Sequence, residues 1–400
     1  MRVLLLTHVF PRAADDSLGA FLLHLTQAFA ARAQTLVIAP HAAGLSDREN
    51  FGAVQVVRFH YAPDAQEMLA YTGVMHERVA RGGGAKILFA RFGWNYFRAA
   101  RRAAKEFQPD VIHAHWWLPG GLVGALLSKL THTPLIITTH GTDVEQLRKA
   151  RWTQPLARFV FSQARVVTCG SHYLRERLIE LHVADAARVR VISMPVNPLF
   201  VNQNSKVEIE KLNLENATRE FRILTVARLT KQKGVDTLLD ALDILRARGI
   251  DARLRIAGAG DQREFLERKT RALRLDAHVD FLGARSQAEL PALYAACDAF
   301  ALSSVREGMG LVLAEALLCG APVIATDSGG VTDIVRDGET GLLFPERDAR
   351  ALADALEKYA RDSAYAARLA RGGRALALGR LAPERVAAQF LDFYEAATKS

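Results

Sequence analysis

Residues 299–326 read AFALSSVREGMGLVLAEALLCGAPVIAT. Ala299–Leu302 is a short apolar run of strand type, and Val323–Ala325 is a second, β-branched one. Between them a loop holding Gly308 and Gly310 leads into a stretch from about Gly310 to Cys319 that is long enough for a helix. Strand, glycine loop, helix and strand in that order make a βαβ unit and predict a parallel sheet.

The same alternation extends outward in both directions. Strands are predicted at Phe221–Val226, Leu254–Ala257 and Val279–Leu282, with a helix over Gly234–Arg248. Earlier in the chain, strand-like runs occupy Val3–Leu6, Thr35–Ala39, Val54–Phe59, Val111–Ala114, Leu135–Thr138 and Val166–Cys169, and Ala20–Arg32 has helical spacing. Residues 195–220 interrupt the pattern: they are polar and Asn-rich, with Pro195 and Pro198 at the start. The chain has 400 residues, more than one ordinary core holds. The expected organisation is a Rossmann-like domain over 1–195, a linker over 196–220 and a second Rossmann-like domain over 221–380. A C-terminal helix over 381–400 is expected to pack back toward the first domain. Doubly wound sheets bind ligands beyond the carboxyl ends of their strands, so a cleft between two such domains is the natural site.

Composition excludes several classes. Half the residues are hydrophobic and 24% are charged, which rules out a disordered or fibrous chain. Three widely spaced cysteines, Cys169, Cys297 and Cys319, fit buried thiols in a reducing compartment rather than a zinc motif. The apolar run after Met1 is too short for a signal core, and no stretch approaches the length of a membrane span. The expected location is cytoplasmic, with room for peripheral contact with the inner face of a membrane. The net charge of +9 lies wholly in residues 1–200, which carry 23 Lys+Arg against 14 Asp+Glu. No nucleic-acid recognition motif accompanies it, so no nucleic-acid partner is expected. Arg78 to Lys105 holds eight cations, no acid, and the aromatics Phe89, Phe92, Trp94, Tyr96 and Phe97. With a mobile loop expected at Gly82-Gly83-Gly84, this stretch suits an anionic membrane or a lipid-linked acceptor, or else a core helix with a solvated basic face.

The candidate site residues cluster after strand ends. Glu307 lies in the glycine loop and Glu315 inside the following helix, between apolar neighbours that suit an unpaired charge poorly. Carboxylates so placed fit vicinal hydroxyls, and the helix start offers N–H groups to a phosphate. Arg228 and Lys233 follow the Phe221–Val226 strand, where two cations can face an anionic ligand. Gly258 ends the next strand. Taken singly, each could be a surface charge or a turn glycine.

In combination these residues resemble a known family. Arg228-x4-Lys233-Gly234, Glu307-Gly308-Met309-Gly310-Leu311 with Glu315, Gly320-Ala321-Pro322-Val323-Ile324-Ala325-Thr326 and Gly329-Gly330 look like the retaining GT-B glycosyltransferases of family GT4. Phe10-Pro11 with Gly19, Asp110–His115 and Thr139-His140-Gly141-Thr142-Asp143 agree. One departure is Ala20, where many members carry a second glycine after Gly19. The resemblance implies a nucleotide-sugar donor held mainly by the second domain and an acceptor held mainly by the first. Arg228 and Lys233 would bind the diphosphate, Glu307 the transferred sugar, Glu315 the ribose, and the backbone of Gly308, Met309, Gly310 and Leu311 the sugar and phosphate. Leu282 would meet the base, Gly258 would line the donor pocket, and Gly19 would lie near the phosphates. His140 would lie near the reacting sugar, with His115 and Asp143 on the acceptor side. No Asp-x-Asp occurs, so metal-independent transfer without a cofactor is expected. A phosphorylase of the same fold (trehalose phosphorylase-like), a nucleotide-sugar hydrolase or epimerase, and a non-catalytic sugar-nucleotide binding module are the alternatives.

Overall fold

The computed structural model describes residues 1–14, 16, 18–71, 75–80, 82–201 and 220–399. Most of the expected linker, 202–219, lies outside the described residues. The chain forms two units, Met1–Pro195 with Pro383–Ser400, and Val196–Ala382.

The first unit is built on an eight-stranded sheet. Its strands are β1 (Arg2–Leu6), β2 (Gln34–Pro40), β3 (Arg48–Phe51), β4 (Val54–Phe59), β5 (Val111–His115), β6 (Leu135–Thr139), β7 (Val166–Cys169) and β8 (Val189–Val191). They lie in the order β3-β4-β2-β1-β5-β6-β7-β8. All neighbours pair in parallel except β3, which runs antiparallel to β4 at the edge. Every residue of β5 and β6 is buried, as expected of strands covered on both faces. Strand β3 was not anticipated because Arg-Glu-Asn-Phe is polar, and an edge strand needs only one partner. Strand β8 is three residues long and carries too little pattern to read.

Three features of this unit bear on the site. The helix Ala20–Phe29 begins at Gly19, whose φ of 79° is left-handed. A Cβ there would stand 3.2 Å from the Val9 carbonyl, so Gly19 serves the turn itself. The last helix, Pro383–Thr398, packs on Ala20–Phe29 through Phe29, Phe390 and Tyr394. The helix Gly83–Phe107 takes in Gly83 and Gly84, which corrects the expected mobile loop at the glycine run. Phe92, Tyr96, Ala100 and Ala103 form its buried stripe, at the spacing that carries one helix face into a core.

The second unit has a six-stranded parallel sheet. Its strands are β9 (Phe221–Val226), β10 (Ala252–Ala257), β11 (Val279–Gly283), β12 (Ala299–Leu302), β13 (Val323–Thr326) and β14 (Leu342–Phe344). The order is β11-β10-β9-β12-β13-β14. Counted within the unit this is 3-2-1-4-5-6, so the winding reverses between β9 and β12. The loops after those two strands therefore flank the crevice where such sheets take ligands. Apolar clusters cover both faces, one around Leu238, Leu254 and Leu352, the other around Phe300, Leu317 and Val331.

Candidate functional site

In the second unit the loops after β9 and β12 meet. Lys233 ends a short turn, Lys231–Lys233, and Gly234 caps the helix Val235–Ala247 with a left-handed φ of 59°. A Cβ on Gly234 would stand 2.3 Å from the Ser303 carbonyl, and the Ser303 hydroxyl donates to the Lys233 carbonyl at 3.1 Å. These contacts lock the two loops together. Across them Lys233 Nζ donates to Glu307 Oε2 at 2.5 Å, with 17% and 14% of the side chains exposed. Burial alone would raise the Glu307 carboxyl; the Lys233 ammonium and the Gly308 N–H outweigh it and hold the group below its ordinary value. Arg228 is exposed and, among the described residues, makes no ion pair.

Gly310 caps the helix Leu311–Leu318 with a φ of 73°. The N–H groups of Leu311 and Val312 come before any intrahelical acceptor and lie at the positive end of the helix dipole, while that of Leu313 donates back to the Gly310 carbonyl at 2.8 Å. The Glu307 loop is walled by the glycine pair that follows β13. Gly330 N–H donates to the Glu307 carbonyl at 2.7 Å, and a Cβ on Gly329 would lie 2.1 Å from the same oxygen. Glu315 is buried in the Leu311–Leu318 helix and accepts the Tyr294 hydroxyl at 3.0 Å. Burial pushes its carboxyl up to about 7, against the pull of that hydroxyl. Tyr294 was not anticipated. It comes from the helix Leu290–Ala296, and nothing in Leu-Tyr-Ala-Ala marks which carboxylate it meets.

Gly258 and Leu282 sit at the carboxyl ends of β10 and β11. Gly258 packs on the protein's own backbone: its N–H donates to Gly283, and a Cβ would stand 1.8 Å from the Ala227 carbonyl. Its φ of 145° also disfavours any side chain.

In the first unit the reversal falls between β1 and β5, and the expected acceptor-side residues follow β5 and β6. His115 Nδ1 stands 2.9 Å from His140 Nε2. Around His140 lie Trp116 at 4.2 Å and Phe21 at 5.1 Å between ring centroids, and His8 packs on Trp116 at 4.5 Å. Although part of its surface is open, this enclosure pushes His140 down to about 3; burial is the main cause, with His113 and His8 adding to it. His115 is lowered by burial as well. Both rings are neutral at physiological pH. His115 Nε2 and His8 Nδ1 are buried and, among the described residues, have no hydrogen-bond partner.

Asp143 is 3% exposed and accepts backbone N–H groups from His140 at 2.9 Å, Val144 at 3.1 Å and Trp117 at 3.2 Å. Burial still raises it, to about 6. It ties the loops after β5 and β6 together. His113 is enclosed between Tyr394 and Thr138 at 2.6 Å each and belongs to the core. Trp116, Phe21 and His8 were not anticipated. The one signal available was His115-Trp116-Trp117 directly after a strand end, where Trp116 takes an unusual φ of 62°.

Comparison with known proteins agrees with this geometry. Residues 18–198 match the model described as Glycosyltransferase Family 4, and residues 207–376 match Glycosyl transferases group 1. The chain belongs to the GT4, group 1 glycosyltransferases, and it is an enzyme of that class with the GT-B type of fold. It is 32% identical to a D-inositol 3-phosphate glycosyltransferase of Nocardioides sp. (strain ATCC BAA-499 / JS614), over 82% of this chain and 77% of that one. Among solved structures it resembles sucrose-phosphate synthase from Thermosynechococcus elongatus, with a TM-score of 0.82 at 24% identity over 99% and 98% of the two chains. It also resembles Anabaena HepE in complex with UDP and glucose, with a TM-score of 0.70 at 22% identity over 98% and 99%. Among the described residues no helix is long and apolar enough to cross a membrane.

Proposed function

We propose that the chain moves a hexose from a nucleoside diphosphate sugar to an acceptor hydroxyl, with retention at the anomeric carbon and without a metal ion at the leaving group. The observation that carries this reading is the Lys233–Glu307 pair at the β9/β12 reversal, beside the start of the Leu311–Leu318 helix. A diphosphate leaving group gains charge as the glycosidic bond breaks. Lys233, Arg228 and the helix N–H groups from Gly310 onward supply fixed positive potential for it. Glu307, held ionised, accepts hydroxyls of the transferred sugar, and Glu315 accepts the ribose diol. Gly308, Met309 and Leu311 line the approach, Leu282 meets the base, and Gly258 holds the loop that carries Arg228. HepE was solved with UDP and glucose, which supports UDP-glucose as the first donor to try.

On the acceptor side, neutral His140 and His115 can exchange hydrogen bonds with sugar hydroxyls while Trp116 and Phe21 offer apolar ring faces. Gly19 shapes the turn on which Phe21 rides. The Nocardioides relative and the Thermosynechococcus synthase are named for phosphorylated polyol and sugar chemistry, so phosphorylated acceptors head the panel beside plain sugars and lipid-linked ones. The test is transfer from UDP-, GDP- and ADP-sugars with EDTA present and free phosphate absent. Activity lost to EDTA and restored by magnesium would refute the metal-independent scheme. Turnover only with free phosphate would indicate a phosphorylase.

Peripheral contact with an anionic membrane belongs to the same reading. On the Gly83–Phe107 helix, Ile87 and Trp94 are 67% and 62% exposed, among the exposed cations Lys86, Arg91, Arg98, Arg101 and Arg102. Exposed apolar groups beside cations fit a lipid headgroup layer. Co-sedimentation with anionic liposomes at low salt, released at high salt, is expected; equal recovery with neutral liposomes would refute it.

A further inference from the structure

At the carboxyl ends of β2 and β4, four side chains converge that the transfer reading does not use. His41 follows β2 and His60 follows β4, while Asp64 opens the short turn Asp64–Gln66 and Glu67 closes it. One ligand atom from each lies within 4.8 Å of all the others. His41 Nδ1 is 2.7 Å from Glu67 and 3.8 Å from Asp64. His60 Nδ1 is 3.6 Å from Asp64 and 3.5 Å from Glu67. Four donors around a tetrahedral ion, each roughly 2.0–2.1 Å from it, stand about 3.3 Å apart. The observed separations bracket that value.

The far side of each imidazole points to the same conclusion. His41 Nε2 lies 2.9 Å from the Leu45 carbonyl, and His60 Nε2 lies 2.9 Å from the Asp47 carboxylate. Both partners only accept, so Nε2 carries the hydrogen in each ring. In the metal-free chain His41 shares an Nδ1 proton with Glu67 at 2.7 Å; an ion that displaces it meets both Nδ1 lone pairs and the two carboxylates together. A backbone carbonyl or carboxylate behind a histidine is the usual outer support of a metal ligand, because it fixes the tautomer and the ring. The two rings lie 3.8 Å apart between centroids, tilted by 33°, with both Nδ1 atoms near the same pair of acids. Glu67 is further oriented by the Tyr61 N–H at 2.9 Å.

Among the described residues, the only partners of the two carboxylates besides backbone are the two imidazoles themselves. The Glu67 side chain is fully buried, and among the described residues neither Asp64 nor Glu67 pairs with a lysine or arginine. A second cluster, Glu220, Asp251 and His278, differs in this respect: Arg253 and Arg246 already answer its carboxylates, at 3.0 and 3.2 Å.

We propose that His41, His60, Asp64 and Glu67 bind a divalent transition-metal ion, and that zinc is the ion their two imidazoles and two carboxylates fit. With four protein ligands the site is closed, so the ion ties the ends of β2 and β4 to the turn between Asp64 and Glu67 and takes no part in transfer. The proposal does not depend on the donor and acceptor roles given above, since none of those residues belongs to it.

The experiment uses the full chain, stripped with a chelator and dialysed. Zinc is titrated by calorimetry in competition with a chelator of known affinity, and cobalt serves as a spectroscopic probe. One zinc per chain is expected, with an intense visible cobalt band of the tetrahedral type. His60→Gln and Asp64→Asn alter partly exposed groups, and each is expected to weaken zinc by at least about 10-fold and to abolish the cobalt band. Wild-type protein without stoichiometric zinc, or with only the weak cobalt band of a six-coordinate ion, overturns the proposal whatever the variants do. Zinc bound as tightly by folded His60→Gln as by the wild type also overturns it.

Discussion

Lys233→Ala probes the leaving-group scheme most sharply, because Lys233 is paired and Arg228 is not. The Lys233–Glu307 contact is 2.5 Å long and mostly shielded from solvent. At an effective dielectric of ~20 and a charge separation of ~3 Å, the attraction is about 5 kcal/mol before desolvation. Removing the ammonium leaves Glu307 enclosed without its cation, and since both groups keep some exposure, a stability loss of about 2–3 kcal/mol is expected. Loss of one stabilising cation in the transition state lowers kcat/KM by roughly 30- to 1,000-fold, from about 2–4 kcal/mol. Arg228→Ala is expected to cause a kinetic loss of the same order with little change in stability, since it breaks no ion pair. Adding Glu307→Gln to Lys233→Ala should restore part of the stability and none of the activity. Urea melts and release of nucleoside diphosphate measure the two quantities on the same samples. Lys233→Ala with near wild-type kcat/KM would refute the role in departure of the diphosphate. Strictly additive stabilities in the double variant would refute the coupling.

Glu315→Gln separates binding from stability. The folded carboxyl sits at about 7 against an ordinary 4.5, so between those pH values the folded state holds a proton that the unfolded state releases, and stability falls as pH rises. Glutamine removes that slope. The variant should gain on wild type by up to about 3 kcal/mol between pH 5 and 8 while losing nucleotide affinity, and a pH-independent difference in urea melts would show the shift to be absent. Gly258→Ala is expected to cost about 2 kcal/mol or more, since a Cβ would collide with the Ala227 carbonyl; an unchanged melt would contradict that backbone contact.

The parts that the sequence made legible follow a physical rule. Strands β1, β5, β6, β9 and β12 are buried on both faces, so their apolar runs stand out against the helices between them. Strand β3 is a polar edge, and β8 and β14 have three residues each, so neither periodicity nor composition marks them. The charged and glycine residues after β9 and β12 were legible because a sharp turn and an anionic ligand demand particular residue types at short spacing. Tyr294 beneath Glu315, and Trp116 and Phe21 around His140, were not legible, because only the packing of separate elements brings them there. Asp143 was legible as a site residue, yet its carboxylate is engaged by three backbone N–H groups, a structural task that residue type alone does not reveal. The histidine and carboxylate group at 41–67 was not legible for a similar reason: its spacing is irregular and its members join only where β2 and β4 end side by side.

The central claim is that a sugar leaves a nucleoside diphosphate and reaches its acceptor with the anomeric configuration kept. Proton NMR of the first product formed from an α-linked nucleotide donor, recorded with EDTA present, tests it directly. The anomeric proton of an α-linked glycoside is the result the account predicts. A β-linked first product would contradict it.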